Sequence, residues 1–246
     1  MTEARAATRQ VLVVYALVCA AVFAATRLGA SSTFGPYVHL AVAAIFLLTA
    51  LRMTRDDPRH FGLALGGLLE PSMNDRPRGP LGLFDLARAL WGALPSALRE
   101  VGAAFAVGAV VFPLYAVGFY MWNEPARAFD LTLPPDLVNM VLAQLIVVAL
   151  PEEAFFRGYV QTSLTDAESG RVRLLGVSLA PRAWLAQAAL FALVHVLSEP
   201  HPARLAVFFP ALLFGWMRAW RGGIGAALAL HAMSNLYSEI LARSWL

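Results

Sequence analysis

Residues 137–163 read LVNMVLAQLIVVALPEEAFFRGYVQTS and carry three charged side chains inside a long apolar run. A helix of about 20 residues crosses the hydrocarbon layer of a membrane, so this length predicts a transmembrane span. An ionisable side chain in that layer costs roughly 2.5–3.5 kcal/mol on insertion scales. The three charges therefore indicate a protein interior or a wet cavity, and they make this span the first candidate for function.

The rest of the chain is apolar in the same way. Of the 246 residues, 59% are hydrophobic and 14% are charged. In a typical soluble domain about half of the residues are hydrophobic and about a quarter are charged. This composition excludes a soluble globular protein and a disordered chain. A net charge of +3 without a basic tract excludes a nucleic-acid-binding protein. The single cysteine, Cys19, excludes an intrachain disulfide and a thiolate metal cluster.

Apolar runs near twenty residues predict the organisation of the chain. We expect an all-α polytopic membrane protein in which residues 1–246 form a single integral-membrane domain within the lipid bilayer. Residues 52–100 form a cytoplasmic loop with an amphipathic interfacial helix at 81–99, and residues 137–242 form the helices that carry the candidate site. About seven transmembrane helices are predicted, at roughly 10–29, 36–51, 101–122, 137–163, 183–198, 203–220 and 224–242.

The arginines orient these spans. They precede the first span and fill the loops after the second, fourth and sixth spans, whereas the loops on the other side hold only Arg127 and His201 as basic residues. The positive-inside rule then puts the N-terminus in the cytoplasm. The Arg- and Ala-rich composition without lysine looks bacterial, so we expect the inner (cytoplasmic) membrane of a bacterium.

The charges of the fourth span have a helical spacing. Glu153 and Arg157 are four residues apart and share one helix face, so they can form an ion pair. Glu152 points about 100° away, and a carboxylate that is free of the arginine suits general-base catalysis on water. The alternative is a purely structural ion pair. Aromatic side chains are expected to line a substrate pocket beside Glu152: Phe155, Phe156, Tyr159 and Phe191.

Two further spans carry paired motifs. His195 follows Phe191 by four residues, and Asn235 follows His231 by four residues, so each pair shares a helix face. A lone buried histidine is more often a hydrogen-bonded core residue. Two histidines on separate spans, beside a helix with two glutamates and an arginine, indicate a site instead, because imidazole and carboxamide groups polarise water or hold an oxyanion.

The three motifs Glu-Glu-x-x-x-Arg, Phe-x-x-x-His and His-x-x-x-Asn, on successive apolar helices, resemble the CPBP family. These are the CAAX-protease and bacteriocin-processing (Abi) intramembrane endopeptidases, and the resemblance covers about residues 137–240. It implies a peptide hydrolase that cuts a membrane-anchored protein or peptide in or near its membrane segment. It also implies that Glu153 and Arg157 position the site.

By the same resemblance, Glu152 with His195 would activate a water, and His231 with Asn235 would stabilise the tetrahedral oxyanion. No cofactor is favoured in this glutamate-dependent mechanism. The alternative is a metalloprotease in which Glu152, His195 and His231 hold Zn²⁺. The sequence lacks a His-Glu-x-x-His motif, and Asn235 fits oxyanion binding better than zinc binding.

The substrate class and two other functions stay open at this point. Prenylated substrates are not expected in a bacterium, so the substrate is a bacteriocin leader, a regulatory peptide or a C-terminal sorting helix. The compact seven-span form looks like the bacterial enzymes that remove sorting tails. The other functions are a non-catalytic immunity or scaffold protein of the same fold and a proton-coupled transporter, although the inverted repeat of many transporters is not visible.

Overall fold

The computed structural model describes residues 2–30, 33–65 and 83–246. Helices dominate these residues, and a short antiparallel hairpin follows the fourth helix. The 3₁₀ turns Gly35–Tyr37 and Pro202–Val207 precede α2 and α6. The long helices are α1 Thr2–Ala30, α2 Val38–Thr54, α3 Leu83–Asn123, α4 Leu137–Asp166, α5 Pro181–Ser198, α6 Phe208–Arg221 and α7 Gly225–Trp245.

The prediction of an all-α integral membrane protein is confirmed. Within the described residues, four helical segments are long and apolar enough to cross a membrane: Ala4–Ala30, Gly35–Thr54, Ala87–Asn123 and Leu137–Asp166. Helices α5, α6 and α7 do not reach the same combination of length and hydropathy. The number of about seven spans therefore stays a prediction.

Helix α3 differs from its expected form. The amphipathic stretch 81–99 and the third span 101–122 were expected as separate helices, but Leu83–Asn123 is one continuous helix of 41 residues. Residues 66–82 of the predicted loop 52–100 lie outside the described part of the chain. The polar stripe of the sequence is thus the first half of a helix that continues as a span.

The loops around α5 and α6 also differ. Helix α6 begins at Phe208, and Arg204, expected inside a sixth span, lies in the 3₁₀ turn before it. Strands β1 Val172–Leu174 and β2 Val177–Leu179 form a hairpin with Val172 opposite Leu179. Strands of three residues are too short to show alternation in sequence, so neither was predicted.

Helix α4 alternates between α and π geometry. Its segments are α Leu137–Leu142, π Ala143–Ala149, α Leu150–Glu153, π Ala154–Gln161 and α Thr162–Asp166. Pro151 has no backbone N–H to donate inside a helix. Wide π turns on both sides let the helix continue past Pro151. They also rotate later side chains away from their uniform α-helical positions, and π turns are frequent at functional sites.

Helices α1 and α2 pack on one side of α4. Phe46 of α2 lies 5.4 Å from Phe155 and 5.6 Å from Phe156 between ring centroids. The Tyr15 hydroxyl of α1 donates to the Leu190 carbonyl oxygen of α5 at 2.8 Å. These contacts belong to an apolar core that α1 and α2 share with α4 and α5, whereas the other side of α4, with Arg157 and Gln161, contacts α6.

Polar links tie α4, α5 and α6 together on that other side. Gln161 donates to the Gly215 carbonyl oxygen at 2.9 Å, and Gln187 donates to the Ala211 carbonyl oxygen at 3.0 Å. A Cβ atom at Gly215 would lie 2.5 Å from Nε2 of Gln187 and 2.9 Å from Cδ1 of Trp184. The missing side chain of Gly215 therefore permits the close approach of the three helices.

Candidate active site

The predicted ion pair between Glu153 and Arg157 forms in the interior of the helix bundle. Nη1 of Arg157 lies 3.0 Å from Oε1 of Glu153, and both side chains are 0% exposed. Nη2 of Arg157 donates to the Ala211 carbonyl oxygen at 3.3 Å. The guanidinium carbon lies 4.4 Å from the ring centroid of Phe191 and 5.2 Å from that of Phe214. Two aromatic faces and a carboxylate thus compensate the buried cation.

His231 of α7 contacts both glutamates. Its Nδ1 lies 2.8 Å from Oε1 of Glu153 and its Nε2 lies 3.7 Å from Oε2 of Glu152. The Glu153 carboxylate is paired with an arginine and accepts hydrogen bonds, so Nδ1 of His231 is the donor. The imidazole stacks on Phe214, with ring centroids 4.8 Å apart and planes inclined by 17°. His231 is therefore held at one nitrogen and presents the other to Glu152.

His195 of α5 presents the same nitrogen to the same carboxylate. Its Nδ1 lies 2.8 Å from the Phe191 carbonyl oxygen, and a carbonyl only accepts, so Nδ1 carries the proton. Its Nε2 lies 4.0 Å from Oε2 of Glu152. Helix α5 ends at Ser198, less than one turn after His195. The site therefore lies next to the connection between α5 and α6.

Glu152 differs from its neighbour in sequence. The side chain of Glu152 is 14% exposed, whereas that of Glu153 is 0% exposed, and Oε2 of each glutamate has no hydrogen-bond partner among the described residues. Distances of 3.7 and 4.0 Å to the two histidine nitrogens are too long for direct hydrogen bonds. They suit contacts bridged by a water. Glu153 is thus fixed by its partners, whereas Glu152 meets the two histidines only at these longer distances.

Asn235 lies one turn beyond His231 on α7. Its Nδ2 donates to Oε1 of Gln144 on α4 at 2.8 Å. The structure thus brings five predicted site residues into one contact network, and it places Asn235 next to this network with a partner of its own. The five residues are Glu152, Glu153, Arg157, His195 and His231.

The four aromatic residues of the predicted substrate pocket lie in two different surroundings. Phe155 and Phe156 are both 0% exposed and belong to the apolar core against Phe46, and Tyr159 is 3% exposed and lies 5.9 Å from Phe155. Phe191 does border the charged groups, since its ring centroid lies 4.5 Å from that of His195. The prediction assumed a uniform α-helix, whereas residues 154–161 are π-helical.

Two residues that contact the predicted site residues were not predicted from the sequence. The ring of Phe214 stacks on His231 and faces Arg157. A single phenylalanine in an apolar helix does not indicate a functional role in the sequence. Gln144 does indicate one, because a polar side chain inside a predicted span is expensive and is often functional. Its partner, Asn235, lies 91 residues later in the chain, and only the packing of α4 against α7 reveals the pair.

The predicted zinc ligands Glu152, His195 and His231 lie near one another. Tetrahedral zinc with bonds near 2.0–2.2 Å keeps its ligand atoms about 3.4 Å apart, whereas Oε2 of Glu152 lies 3.7 and 4.0 Å from the two histidine nitrogens. In the described parts of the chain, no group of three or more His, Cys, Asp or Glu side chains has metal-binding geometry. The zinc alternative stays a prediction, and no step is derived through a metal.

Comparison with known proteins gives one family. Residues 134–237 match the family model described as type II CAAX prenyl endopeptidase Rce1-like. This segment is Rce1-like. The Rce1-like segment contains the whole network from Gln144 to Asn235, and the match confirms the resemblance to the CPBP family. It supports a CAAX-protease-like intramembrane endopeptidase, which implies a protein or peptide substrate in the membrane. No curated protein and no solved structure matches the chain.

The buried ion pair of the Rce1-like segment predicts a large loss of stability in Arg157→Met. Removing one partner leaves Glu153 as an uncompensated buried charge, which costs about 3–5 kcal/mol. We expect a strong decrease of the thermal unfolding temperature in detergent. The double variant Glu153→Gln/Arg157→Met should recover part of the loss, because it removes both charges.

Arg243→Met is the matched control, because Arg243 and Glu239 form an ion pair with the same four-residue spacing on an exposed surface. Such pairs contribute about 0.3–0.5 kcal/mol, so the unfolding temperature should hardly change. Equal shifts in Arg157→Met and Arg243→Met would contradict the importance of the buried pair.

Proposed function

We propose that the protein is a glutamate-dependent intramembrane endopeptidase in which Glu152 activates the attacking water. The observation that carries this proposal is the difference between adjacent carboxylates. Glu153 is held by Arg157 and His231, whereas Glu152 is partly exposed and faces Nε2 of two histidines. A partly exposed carboxylate whose Oε2 makes no direct hydrogen bond to the described residues is suited to general-base catalysis.

The proposed reaction is a peptide hydrolysis in which Glu152 transfers a proton from water to the leaving amine. A water between Glu152 and His195 gives a proton to Glu152 while its oxygen attacks the scissile carbonyl carbon. The carbonyl π electrons move to oxygen and form the oxyanion. Glu152 then returns the proton to the amide nitrogen as the C–N bond breaks, which yields a carboxylic acid and an amine. Nε2 of His195 orients the water, since its Nδ1 is engaged by the Phe191 carbonyl oxygen.

His231 and Asn235 are the proposed oxyanion donors. Because Nδ1 of His231 donates to Glu153, donation from Nε2 requires the imidazolium form. The Glu153 carboxylate compensates that positive charge on the opposite side of the ring. Asn235 adds an amide N–H from the next turn of α7. Preorganised donors of this kind typically contribute about 10²–10³ in rate.

The proposed substrate is a membrane-anchored protein or peptide cut in or near its membrane segment. The surroundings of Glu152 support this class, because the site lies on helices that are themselves apolar and two of its rings, Phe191 and Phe214, are buried. A C-terminal sorting helix of a bacterial surface protein is the specific substrate we favour. The matched family is described as a prenyl endopeptidase, so a farnesylated CAAX peptide is the comparison substrate.

The activity should depend on Glu152 and His195. Glu152→Gln and His195→Ala should remain folded but lower cleavage by about 10²–10⁴-fold, the usual contribution of a general base. The measurement is a comparison of protein termini by mass spectrometry in membranes and medium of cells that carry either variant or the unaltered chain. Intact precursors should accumulate in the variant cells.

Glu239→Gln is the control, since Glu239 is an exposed carboxylate on α7 paired with Arg243. It should process like the unaltered chain. Normal termini in the Glu152→Gln and His195→Ala strains would exclude the endopeptidase and favour the scaffold function. Proton-coupled flux in liposomes that is lost with Glu152 would favour the transporter.

The mechanism predicts that no metal is needed. Purified protein treated with EDTA or 1,10-phenanthroline and then dialysed should cleave its precursor at an unchanged rate, because the general base is a carboxylate. A loss that Zn²⁺ restores would replace this mechanism with the zinc alternative at Glu152, His195 and His231. Metal content measured on the same sample provides the second readout.

We further propose a bacterial inner-membrane location with the N-terminus in the cytoplasm. At one end of the helix bundle, Arg218 donates to the His60 carbonyl oxygen at 3.0 Å, and Arg221 lies 2.8 Å from Glu100. The nearby segments add Arg55, Arg59, Arg171, Arg173 and Arg182. The opposite end has Arg27, Arg127, Arg204 and Arg243. The larger number of arginines at the first end supports a cytoplasmic assignment.

Thiol labelling checks this orientation. The native Cys19 is buried, so new cysteines can be labelled selectively. Leu175, in the hairpin, is 84% exposed at one end, and Trp122, at the end of α3, is 80% exposed at the other. An impermeant maleimide added to spheroplasts should label Trp122→Cys but not Leu175→Cys, and inverted vesicles should give the opposite result. The reverse pattern would place the N-terminus outside.

A further inference from the structure

Gln144 is a polar side chain in the middle of an apolar helix. It lies in the first π-helical segment of α4, Ala143–Ala149, and its neighbours in sequence are Ala143 and Leu145. A carboxamide that lacks partners in a membrane is costly, and inside a bundle it is retained where it bonds another helix. Gln144 has such a partner in Asn235, with 2.8 Å between Oε1 and Nδ2.

This hydrogen bond restricts the Asn235 carboxamide. The terminal torsion of an asparagine is broad and roughly two-fold, so an isolated amide group rotates easily. With one N–H engaged by Gln144, the amide plane is fixed and the direction of the second N–H is fixed with it. An oxyanion donor is effective when its direction is set before the reaction, because no reorganisation is then needed.

The location of Gln144 links the site to a lateral groove. An apolar groove of about 140 Å³ lies between α3, α4 and α7, and Gln144 is part of its wall. Met233, two residues before Asn235, also lines it, so the groove lies beside the turn of α7 that follows His231. Gln144 therefore stands between an apolar surface and the polar groups of the site.

We propose that Gln144 is a positioning residue that acts through Asn235. Its Oε1 holds the Asn235 carboxamide in the orientation needed to donate to the oxyanion. The inference rests on the proposed endopeptidase function and adds a residue outside the three recognised motifs. A residue that only linked two helices would affect stability but not the chemical step, whereas a positioning residue affects the chemical step.

The test is a double-mutant cycle in kcat. The variants are Gln144→Met, which keeps the length of the side chain without an acceptor, Asn235→Ala, and the double variant. The probe is the membrane protein whose processed terminus disappears in the Glu152→Gln strain, purified from that strain as the intact precursor. Gln144→Met should lower kcat by roughly tenfold with KM unchanged, as expected for a misdirected donor.

The cycle should be strongly non-additive. In the Asn235→Ala background, Gln144→Met should cause no further decrease of kcat, because Gln144 has no donor left to hold. Gln144→Glu retains an acceptor oxygen and should restore most of the kcat. Gln161→Ala is the control for a helix-linking glutamine, since Gln161 bonds the Gly215 carbonyl oxygen. It should lower the unfolding temperature and leave kcat unchanged.

The outcomes separate the two proposals. Additive losses of kcat, or an unchanged kcat in Gln144→Met while Asn235→Ala is impaired, would overturn the role of Gln144 and leave the endopeptidase intact. Unchanged cleavage in Glu152→Gln and Asn235→Ala would overturn both. If Gln144→Met does not fold, Gln144→Glu decides: it must keep a kcat well above that of Asn235→Ala.

Discussion

The buried ion pair between Glu153 and Arg157 is the constraint on which the rest of the bundle depends. Both side chains are 0% exposed, and two charges out of water need compensation from the groups around them. The Ala211 carbonyl oxygen and the faces of Phe191 and Phe214 supply part of it to the arginine, whereas Nε of Arg157 and Oε2 of Glu153 have no hydrogen-bond partner among the described residues. Because these groups come from α5 and α6, the pair requires both helices to pack closely on α4.

The same pair makes two adjacent glutamates different. Oε1 of Glu153 contacts both Nη1 of Arg157 and Nδ1 of His231, so the orientation of the Glu153 carboxylate is fixed from two sides. Fixing Nδ1 of His231 turns Nε2 toward Glu152, and the Phe191 carbonyl oxygen does the same for His195. The open environment of Glu152 is thus a consequence of the closed environment of Glu153.

Local spacing and the grouping of the three motifs were predictable from the sequence, and the remaining contacts between distant segments were not. The four-residue spacing of Glu153 and Arg157 required only helical geometry, and the pair forms as expected. The surroundings of Phe155, Phe156 and Tyr159 were harder to predict, because no sequence pattern indicated the π-helical segment Ala154–Gln161. The bond between Gln144 and Asn235 spans 91 residues, so it needed the packing of α4 against α7.

The helices outside the Rce1-like segment explain how a partly open site stays rigid. Phe46 of α2 packs against Phe155 and Phe156, and the Tyr15 hydroxyl of α1 holds the Leu190 carbonyl oxygen of α5. These contacts continue to the charged groups through Phe191, whose ring lies 5.0 Å from that of Phe156 and 4.4 Å from the Arg157 guanidinium carbon. In the proposed mechanism Glu152 must meet a water, so packing cannot enclose its carboxylate completely. Phe155 and Phe156, both 0% exposed, give the helix next to the two glutamates a closely packed core on which it can rely for rigidity.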